Sequence, residues 1–536
     1  MTETYSAPGG EWWQQEAIYE VYPRSFLDTD GDGIGDLIGI RRKLDYLRWL
    51  GVGAIWLTPV FPSPMRDFGY DIADYREVDP AFGTLRDLDQ LLAEAHAHDI
   101  KVILDFVPNH TSDQHPWFQE SLSSPASAKR AWYIWRPPAP AGGPPNNWLS
   151  ILGTSAWQLD SQSGEYYYHA FLPEQPDLNW RNPEVRAAML DVMRFWLDRG
   201  FDGFRVDVIW HLIKDEQFRD NPVNPAYIEG MAADQRLSPV FSTDRPEVHD
   251  VVVEWRTLID GYPGAVLIGE AYLPVERLVA YYGDETRREV HLPFNFQMFW
   301  AEWSAPAIAQ LVESYEGTLN HAAWPNWVLG NHDQPRIGSR LGSERARLAA
   351  FLLLTLRGTP TIYYGDELGM TDVPVPPEQV QDTFGQRVLG LGRDPARTPM
   401  QWSAEPNAGF TTGTPWLPVP PGAATRNAAA LTEDARSILW LHKRLLSLRR
   451  DEPALSMGSF VSMGAQDGVF SFLRQDGEST FLVMLNFDST STSAVAPLEG
   501  ELEIALSSHL DREGERCRQG IPIGPFEALL LRPLRR

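Results

Sequence analysis

The chain has 536 residues, more than one hydrophobic core normally organises, so two or three structural units are expected. It carries 46 Lys and Arg residues against 72 Asp and Glu residues, and the resulting formal net charge of −26 argues against nucleic acid and anionic membranes as partners. The single cysteine, Cys517, has no partner for an internal disulfide, which fits a reducing compartment.

The first sixteen residues, MTETYSAPGGEWWQQE, have neither the basic start nor the apolar run of a signal peptide. No stretch approaches the ~18 uninterrupted apolar residues that a membrane span needs. We therefore expect a cytoplasmic protein without membrane contacts. The sequence leaves the oligomeric state open between a monomer and a homodimer.

Short apolar runs alternate with amphipathic helical stretches up to about residue 450, a pattern typical of repeated βα units around a parallel sheet. Helical patterns such as LRDLDQLLAEAHAHD and VRAAMLDVMRFWLDRG separate the runs, and several of them end in Gly. Eight runs predict eight strands, and hence an α/β fold with a (β/α)₈ TIM barrel. The runs cover residues 17–22, 54–61, 101–107, 203–208, 265–271, 289–296, 327–332 and 360–365.

Two regions depart from this alternation. Residues 109–177 show no strong helix and are dense in Pro, Gly and Trp, which predicts an inserted subdomain after the third strand. From residue 457 onward short alternating strands predict a C-terminal all-β sandwich. The predicted domains are therefore the barrel in two parts, 1–108 and 178–456, the insertion at 109–177, and the sandwich at 457–536.

Three acids follow predicted barrel strands. Asp207 ends the fourth strand, Glu270 ends the fifth, and Asp333 follows the seventh. Each alone is more often a solvated loop residue or a helix cap. Because the carboxyl ends of all eight strands converge on one mouth, the three together, beside Arg205 and two histidines, predict an active site.

Paired carboxylates suit glycoside cleavage, in which one acid protonates the leaving oxygen while the other attacks or stabilises the anomeric carbon. Arg205 lies two residues before Asp207 on the same strand, so we expect it to keep Asp207 ionised as the nucleophile. Glu270 has the apolar neighbours Ile268 and Tyr272 and no adjacent cation in the sequence. A raised pKa and the role of general acid are predicted for it.

Over essentially its whole length the sequence resembles glycoside hydrolase family 13, the α-amylase family, and most closely its oligo-1,6-glucosidase and α-glucosidase branch. The motifs that carry this resemblance are DFVPNH at 105–110, QPDLNW at 175–180, GFRVDV at 203–208, GEAY at 269–272 and NHDQPR at 331–336. The resemblance implies the same barrel, insertion and C-terminal sandwich.

The resemblance also implies residue roles. Asp207 would be the nucleophile, Glu270 the acid/base, and Asp333 the carboxylate that holds sugar hydroxyls in the transition state. Further implied sugar ligands are Arg205, His110 and His332, with Asp67 and Tyr70 at the closed end of the pocket and Arg397, preferred to Arg393, as another hydroxyl ligand. Such a blind-ended pocket would remove single glucose units from chain ends.

Residues 28–36, DTDGDGIGD, predict a cation-binding loop. It offers carboxylates from Asp28, Asp30, Asp32 and Asp36 and the carbonyl of Ile34. It is not an EF-hand, because the loop follows a strand and its twelfth position is Gly39. The resembled branch holds a structural Ca²⁺ there, Mg²⁺ stays open as the ion, and a metal-free self-capped turn is the alternative. No organic cofactor is predicted.

The predicted activity is that of a retaining exo-acting α-glucosidase on maltose-sized α-glucosides, with transglucosylation to sugar or alcohol acceptors. Alternatives are a sucrose isomerase, a phosphosugar hydrolase, or a non-catalytic relative that assists a transporter. The chain lacks the Arg-Leu-Asp-Arg-Asp segment that resembles isomerases and has no basic cluster near its motifs. Val208 favours α-1,6 linkages in the resembled branch, but the following IWHLIKD departs from that pattern, so α-1,4 and α-1,6 cleavage both stay open.

Overall fold

The computed structural model describes residues 10–320, 323–388, 390–518 and 520–534. Its central feature is a parallel eight-stranded sheet in which the strands neighbour one another in chain order and the last strand pairs with the first. A parallel bridge between Asn295 and Trp327 brings the sixth strand's end beside the seventh, so the ring is a barrel. The strands are β1 (Ile18–Val21), β2 (Ala54–Leu57), β3 (Lys101–Phe106), β4 (Gly203–Val206), β5 (Val266–Gly269), β6 (Leu292–Pro293), β7 (Asn326–Val328) and β8 (Thr359–Tyr363).

The predicted (β/α)₈ barrel is therefore confirmed. The strands are buried on both faces, as expected of a parallel sheet covered by helices. The sixth strand is much shorter than the apolar run at 289–296, because Pro293 has no N–H group to donate to a neighbouring strand.

Amphipathic helices surround the barrel and bury one face each on the sheet. Leu85–Ala97, for example, begins with a capping box between Thr84 and Asp87 and buries Leu88 and Leu91. The longer helices are Leu85–Ala97, Pro116–Ser123, Pro183–Asp198, Val248–Ile259, Ala305–Thr318, Ser343–Thr355 and Ile438–Asp451. Shorter ones are Trp12–Gln15, Pro23–Phe26, Leu37–Arg42, Leu44–Leu50, Val275–Leu278, Ile337–Leu341, Thr383–Arg387, Ala428–Glu433 and Pro453–Ser456. Within the described parts of the chain, no helix is both long and apolar enough to cross a membrane.

The segment between β3 and helix Pro183–Asp198 forms a small three-stranded antiparallel sheet of Trp135–Arg136, Trp157–Leu159 and Tyr166–Tyr168. It has its own aromatic core, centred on Trp148. The segment also contains helix Pro116–Ser123, where the sequence predicts no strong helix. That helix starts because the imidazole of His115 accepts the N–H of Trp117 and a proline occupies the first helical position.

The C-terminal region is an all-β unit of antiparallel strands, as the fold-class prediction states. One sheet contains Ser459–Gln466, Val469–Asp476, Ser479–Asn486, Ala528–Pro533, Leu502–Ser507 and Arg516–Cys517, in that spatial order. A second contains Thr492–Ala494 and Ile521–Ile523. The first strand of the larger sheet, Ser459–Gln466, was not predicted, because Ser462 and Gly464 interrupt its apolar residues at this half-exposed edge. The domain boundaries at residues 108, 177 and 456 stay predictions.

Candidate active site

A cleft of about 550 Å³ opens at the carboxyl ends of the barrel strands. Most of the predicted catalytic and sugar-binding residues line it: Asp67, Tyr70, His110, Asp207, Glu270, His332 and Asp333. A second cavity of about 590 Å³ lies between the insertion and the barrel, but none of the three predicted catalytic acids lines it. The acids therefore single out the cleft as the candidate active site.

Arg205 is the centre of the acid cluster. Its Nη1 donates to Asp207 Oδ1 and Asp105 Oδ1, both at 2.8 Å, and its Nη2 lies 2.7 Å from Glu270 Oε2. Its side chain has no exposed surface, and the sugar contact predicted for it stays a prediction. It contacts Glu270 as well as Asp207, although no cation is adjacent to Glu270 in the sequence. The reason is the register of β4 against β5, which pairs Arg205 with Ile268 and so brings Glu270 over the guanidinium.

The two acids share similar electrostatics. Burial raises the pKa of Glu270 above its usual range, and burial likewise raises the pKa of Asp207, while the Arg205 guanidinium opposes both shifts. Glu270 Oε2 also accepts the backbone N–H of Val208 at 2.9 Å. Val208 has φ 39° and ψ 48°, a left-handed conformation that is strained for a β-branched residue, and it places this N–H.

Asp333 has a different environment. Its Oδ1 accepts from Arg397 at 3.0 Å and from Arg393 at 3.2 Å, and His332 Nε2 lies 3.4 Å from its Oδ2. Burial works to raise the pKa of Asp333, but His332, Arg393 and Arg397 outweigh it and hold this pKa well below the usual range. Asp333 is therefore the acid of the cleft that stays ionised most firmly.

The choice between the two arginines needs a correction. Arg393 lines the cleft, where its Nη2 contacts Asp67 at 2.6 Å and Asp382 at 2.8 Å. Arg397 has no exposed surface and donates backwards to the carbonyl of His332. The helical turn Asp394–Ala396 separates them and turns only the first toward the cavity, so the predicted sugar ligand Arg397 instead supports Asp333 from behind.

The closed end of the cleft is a network of paired groups. Gln175 Nε2 donates to Asp67 Oδ2 at 3.0 Å and lies 3.1 Å from His110 Nε2. Tyr70 stacks on His332 with ring centroids 5.2 Å apart and donates its hydroxyl to the buried Asp105. Each of these groups is held in place before any ligand arrives.

Three buried residues of this network were not predicted as site residues. Gln175 begins the QPDLNW motif and Asp105 begins DFVPNH, so the motifs contained that signal. Glu20, on β1, accepts from His332 Nδ1 at 2.5 Å. Glu20 lies within an apolar run, and nothing in the local sequence indicates that it meets a residue 312 positions away.

The opposite, open side of the cleft is aromatic. Trp210 and Trp300 each meet Tyr272 edge to face, at 5.8 and 5.7 Å between ring centroids. Phe171 lies on the same cleft, contributed by the insertion. Trp300 is 61% exposed, which is exceptional for so large an apolar side chain.

The acidic loop after β1 brings together part of the predicted ligand set. Carboxylate oxygens of Asp28, Asp30 and Asp36 lie within 4.8 Å of one another, while Asp32 Oδ1 accepts the N–H of Ile34 at 2.7 Å. Asp28 also accepts backbone N–H groups of the loop and the Thr411 hydroxyl. The oxygens suit a hard cation, although backbone donors already occupy several of them.

Comparison with known proteins agrees with this architecture. The family model described as alpha amylase, catalytic domain, matches residues 20–458. An alpha-glucosidase from Culex pipiens is 39% identical, over 97% of this chain and 91% of its own length. An oligo-1,6-glucosidase from Parageobacillus thermoglucosidasius is 37% identical, over 96% of this chain and 98% of its own length. The crystal structure of the alpha-glucosyl transfer enzyme XgtA superposes with a TM-score of 0.92 at 38% identity, over 98% of this chain and all of that one. The chain belongs to the α-amylase family of glycoside hydrolases, glycoside hydrolase family 13.

Proposed function

We propose that this protein is a retaining, exo-acting α-glucosidase that releases α-glucose from the non-reducing end of short α-glucosides such as maltose. The observation that carries the proposal is the closed end of the cleft, where Arg393 bridges Asp67 and Asp333 beside the pair Asp207 and Glu270. In this proposal the bridge closes the cleft behind the glucosyl unit. Substrates then enter only by their ends.

The first chemical step assigns the two acids different roles. Asp207 attacks the anomeric carbon through Oδ2, because Oδ1 is held by Arg205. Glu270 protonates the leaving oxygen from Oε1, because Oε2 accepts the Val208 N–H and faces the guanidinium. We place the two carboxyl groups roughly 5 to 5.5 Å apart, the separation of retaining enzymes, so a covalent β-glucosyl intermediate forms.

In the second step Glu270 acts as the base. It deprotonates the hydroxyl that has entered the open side, and a second inversion at the anomeric carbon restores the α configuration. Water gives hydrolysis, and a sugar or alcohol gives transglucosylation. Asp333, kept ionised by its arginines, binds sugar hydroxyls and stabilises the cationic transition state in both steps.

Proton NMR during hydrolysis of maltose tests the stereochemistry, because a retaining enzyme releases α-glucose first. Initial release of β-glucose would overturn the assignment of Asp207 as the nucleophile. Products from maltose, isomaltose and sucrose identify the preferred linkage and separate hydrolysis from isomerisation. Maltose at high concentration with an added alcohol tests transfer, which fails if no new α-glucoside accumulates.

We also propose that the loop of Asp28, Asp30, Asp32, Ile34 and Asp36 binds a structural Ca²⁺. The clustered carboxylate oxygens of Asp28, Asp30 and Asp36 support this assignment, and the ion would hold the loop after β1. Chelation should lower the Tm while initial rates at low temperature persist, since the ion stabilises the folded state. Elemental analysis without calcium, together with an unchanged Tm, would refute the site.

A further inference from the structure

The larger C-terminal sheet brings a histidine and two acids together at one end of two neighbouring strands. His509 and Asp511 follow the strand Leu502–Ser507, and Glu527 precedes the strand Ala528–Pro533. One imidazole nitrogen and one oxygen of each carboxylate lie within 4.8 Å of one another. None of the three residues lines the candidate active site at the mouth of the barrel, so the cluster is a separate feature.

The pairing of the two strands explains why these side chains meet. The N–H of Ser508 donates to the carbonyl of Ala528 at 2.8 Å, which extends the antiparallel ladder by one step. The next residues along the two segments, His509 and Glu527, therefore lie opposite each other. One residue in the left-handed region then turns the chain back and brings Asp511 beside them.

Glu527 has one oxygen that no protein group uses. Its side chain is only 3% exposed. Oε2 accepts the N–H of Gly524 at 2.7 Å and an N–H of Arg512 at 3.0 Å, whereas the buried Oε1 has no hydrogen-bond partner among the described residues. A buried carboxylate oxygen without a partner is costly, and in a native structure it indicates a ligand that the protein does not itself supply.

The other two side chains of the cluster are also available to a ligand. In the part of the chain that the structure describes, neither ring nitrogen of His509 makes a hydrogen bond or an ion pair. Arg436 holds Asp511 Oδ2, and Asp511 Oδ1 accepts the Ser507 hydroxyl at the long distance of 3.3 Å. Arginines thus orient Asp511 and Glu527 through one oxygen each, as outer partners do for the carboxylates of metal sites.

The donor set determines which ion fits. One imidazole nitrogen and two carboxylate oxygens, with a water molecule in the fourth position, suit Zn²⁺ and similar divalent transition metals. Tetrahedral Zn²⁺ holds its ligand atoms about 3.4 Å apart, so small side-chain rotations would close the cluster around it. Ca²⁺ and Mg²⁺ prefer about six or more oxygen ligands, which this cluster does not offer.

The cluster lies where the C-terminal sheet meets the helices of the barrel. Arg347, on a helix that packs around the barrel, donates to the carbonyl of Ser508 at 2.8 Å. Arg436, just before the helix Ile438–Asp451, pairs with Asp511. An ion at the cluster would fix the loop that carries both contacts.

We propose that His509, Asp511 and Glu527 bind a divalent transition metal ion, Zn²⁺ or an ion of similar coordination chemistry, which fastens this loop between the C-terminal sheet and the barrel. The imidazole ligand distinguishes the site from the acidic loop after β1, where every predicted ligand atom is an oxygen. The ion stabilises the folded protein, because it ties together residues that are 16 to 18 positions apart in the sequence.

Equilibrium dialysis of the full, chelator-treated chain against Zn²⁺ tests the proposal, with excess Ca²⁺ present throughout to occupy sites made only of oxygens. We expect one saturable Zn²⁺ per chain and a higher Tm when it is bound. His509→Gln and Glu527→Gln should each raise the Kd about tenfold or more and abolish the rise in Tm. Glu515→Gln removes an exposed carboxylate of the same segment and, as the matched control, should change neither quantity.

Equal Zn²⁺ affinity in the wild type and in His509→Gln, or no saturable binding to the wild type, overturns the inference. A rise in Tm with Zn²⁺ that persists in His509→Gln overturns it as well. If Glu527→Gln does not fold, since Glu527 also accepts the N–H of Gly524, His509→Gln decides alone, because this half-buried imidazole has no partner within the described chain to lose.

Discussion

The two ends of the cleft are built on opposite principles. At the closed end every charged group has a protein partner, as Arg393 bridges Asp67, Asp333 and Asp382. On the open side the rings of Trp210 and Trp300 pack edge to face against Tyr272. The first arrangement fixes polar atoms, which in the proposed function bind one sugar ring, and the second provides apolar area with few directional contacts.

This difference explains how one cleft can hold one unit of the substrate rigidly and accept varied groups on its open side. Ion pairs within the protein hold the closed end before the substrate binds, so little reorganisation is needed there. Rings such as Trp210 and Tyr272 accept any flat or apolar partner, because stacking depends on area more than on atom type. The closed end should therefore control catalysis, and the open side should control which molecule leaves or enters.

The largest expected effect lies where the two regions meet. Asp207→Asn removes the proposed nucleophile and should lower turnover of maltose by about four orders of magnitude or more without changing the Tm greatly. Glu270→Gln should lower turnover of maltose by a similar factor. On p-nitrophenyl α-glucoside it should slow the first step much less, because that leaving group needs no proton. Activity near the wild-type level in either variant would contradict the assignment of the acids.

A second effect tests the closed end alone. Arg393→Lys replaces a planar group that bridges three carboxylates with a single ammonium group, and we expect kcat/KM to fall by about two orders of magnitude. Arg397→Lys should act through Asp333 and therefore lower kcat more than it raises KM. Steady-state kinetics on maltose separate the two. If Arg397→Lys raised KM more than Arg393→Lys, Arg397 would be the sugar ligand after all.

The contrast between these arginines shows the limits of sequence analysis. The eight strands and the positions of the three acids were predictable, because the spacing of apolar residues and the position of an acid at a strand end are local properties of the chain. The orientation of Arg393 and Arg397 depends on one helical turn between them, and the reach of Arg205 to Glu270 depends on strand register. The pairing of Glu20 with His332 joins the first strand to the seventh, which no local pattern encodes.

A third prediction concerns the contribution of the closed end to the stability of the folded protein. Burial opposes ionisation of Asp382, but Arg393 outweighs it and lowers the pKa of this carboxyl to about 2. A depressed folded-state pKa gives stability that is present above the unfolded value of about 4 and is lost as the pH falls through about 2. Asp382→Asn should thus lower the free energy of unfolding by about 2 kcal/mol at pH 7, and this difference should vanish near pH 2.

Denaturant unfolding between pH 2 and pH 7 measures this difference. Glu378→Gln, a substitution of an exposed residue, serves as the control, and its effect on the free energy of unfolding should stay small from pH 2 to pH 7. A cost for Asp382→Asn that does not depend on pH would mean that the carboxylate contributes through packing instead of through its charge.

The smallest expected effect tests the open side. Trp300 is 61% exposed at the rim, so an acceptor that covers its ring removes apolar surface from water, whereas a water molecule gains nothing from it. Trp300→Ala should therefore lower the ratio of transfer to hydrolysis for an aryl alcohol by about three- to fivefold, while Trp300→Phe keeps most of that ratio. In the proposed mechanism the glucosyl-enzyme forms before this choice, so the ratio is read from products at equal maltose consumption. Val240→Ala, which removes another exposed apolar side chain outside the cleft lining, should leave it unchanged. If Trp300→Ala leaves the ratio at the wild-type value, the aromatic rim does not select the acceptor, and that selection has to come from groups deeper in the cleft.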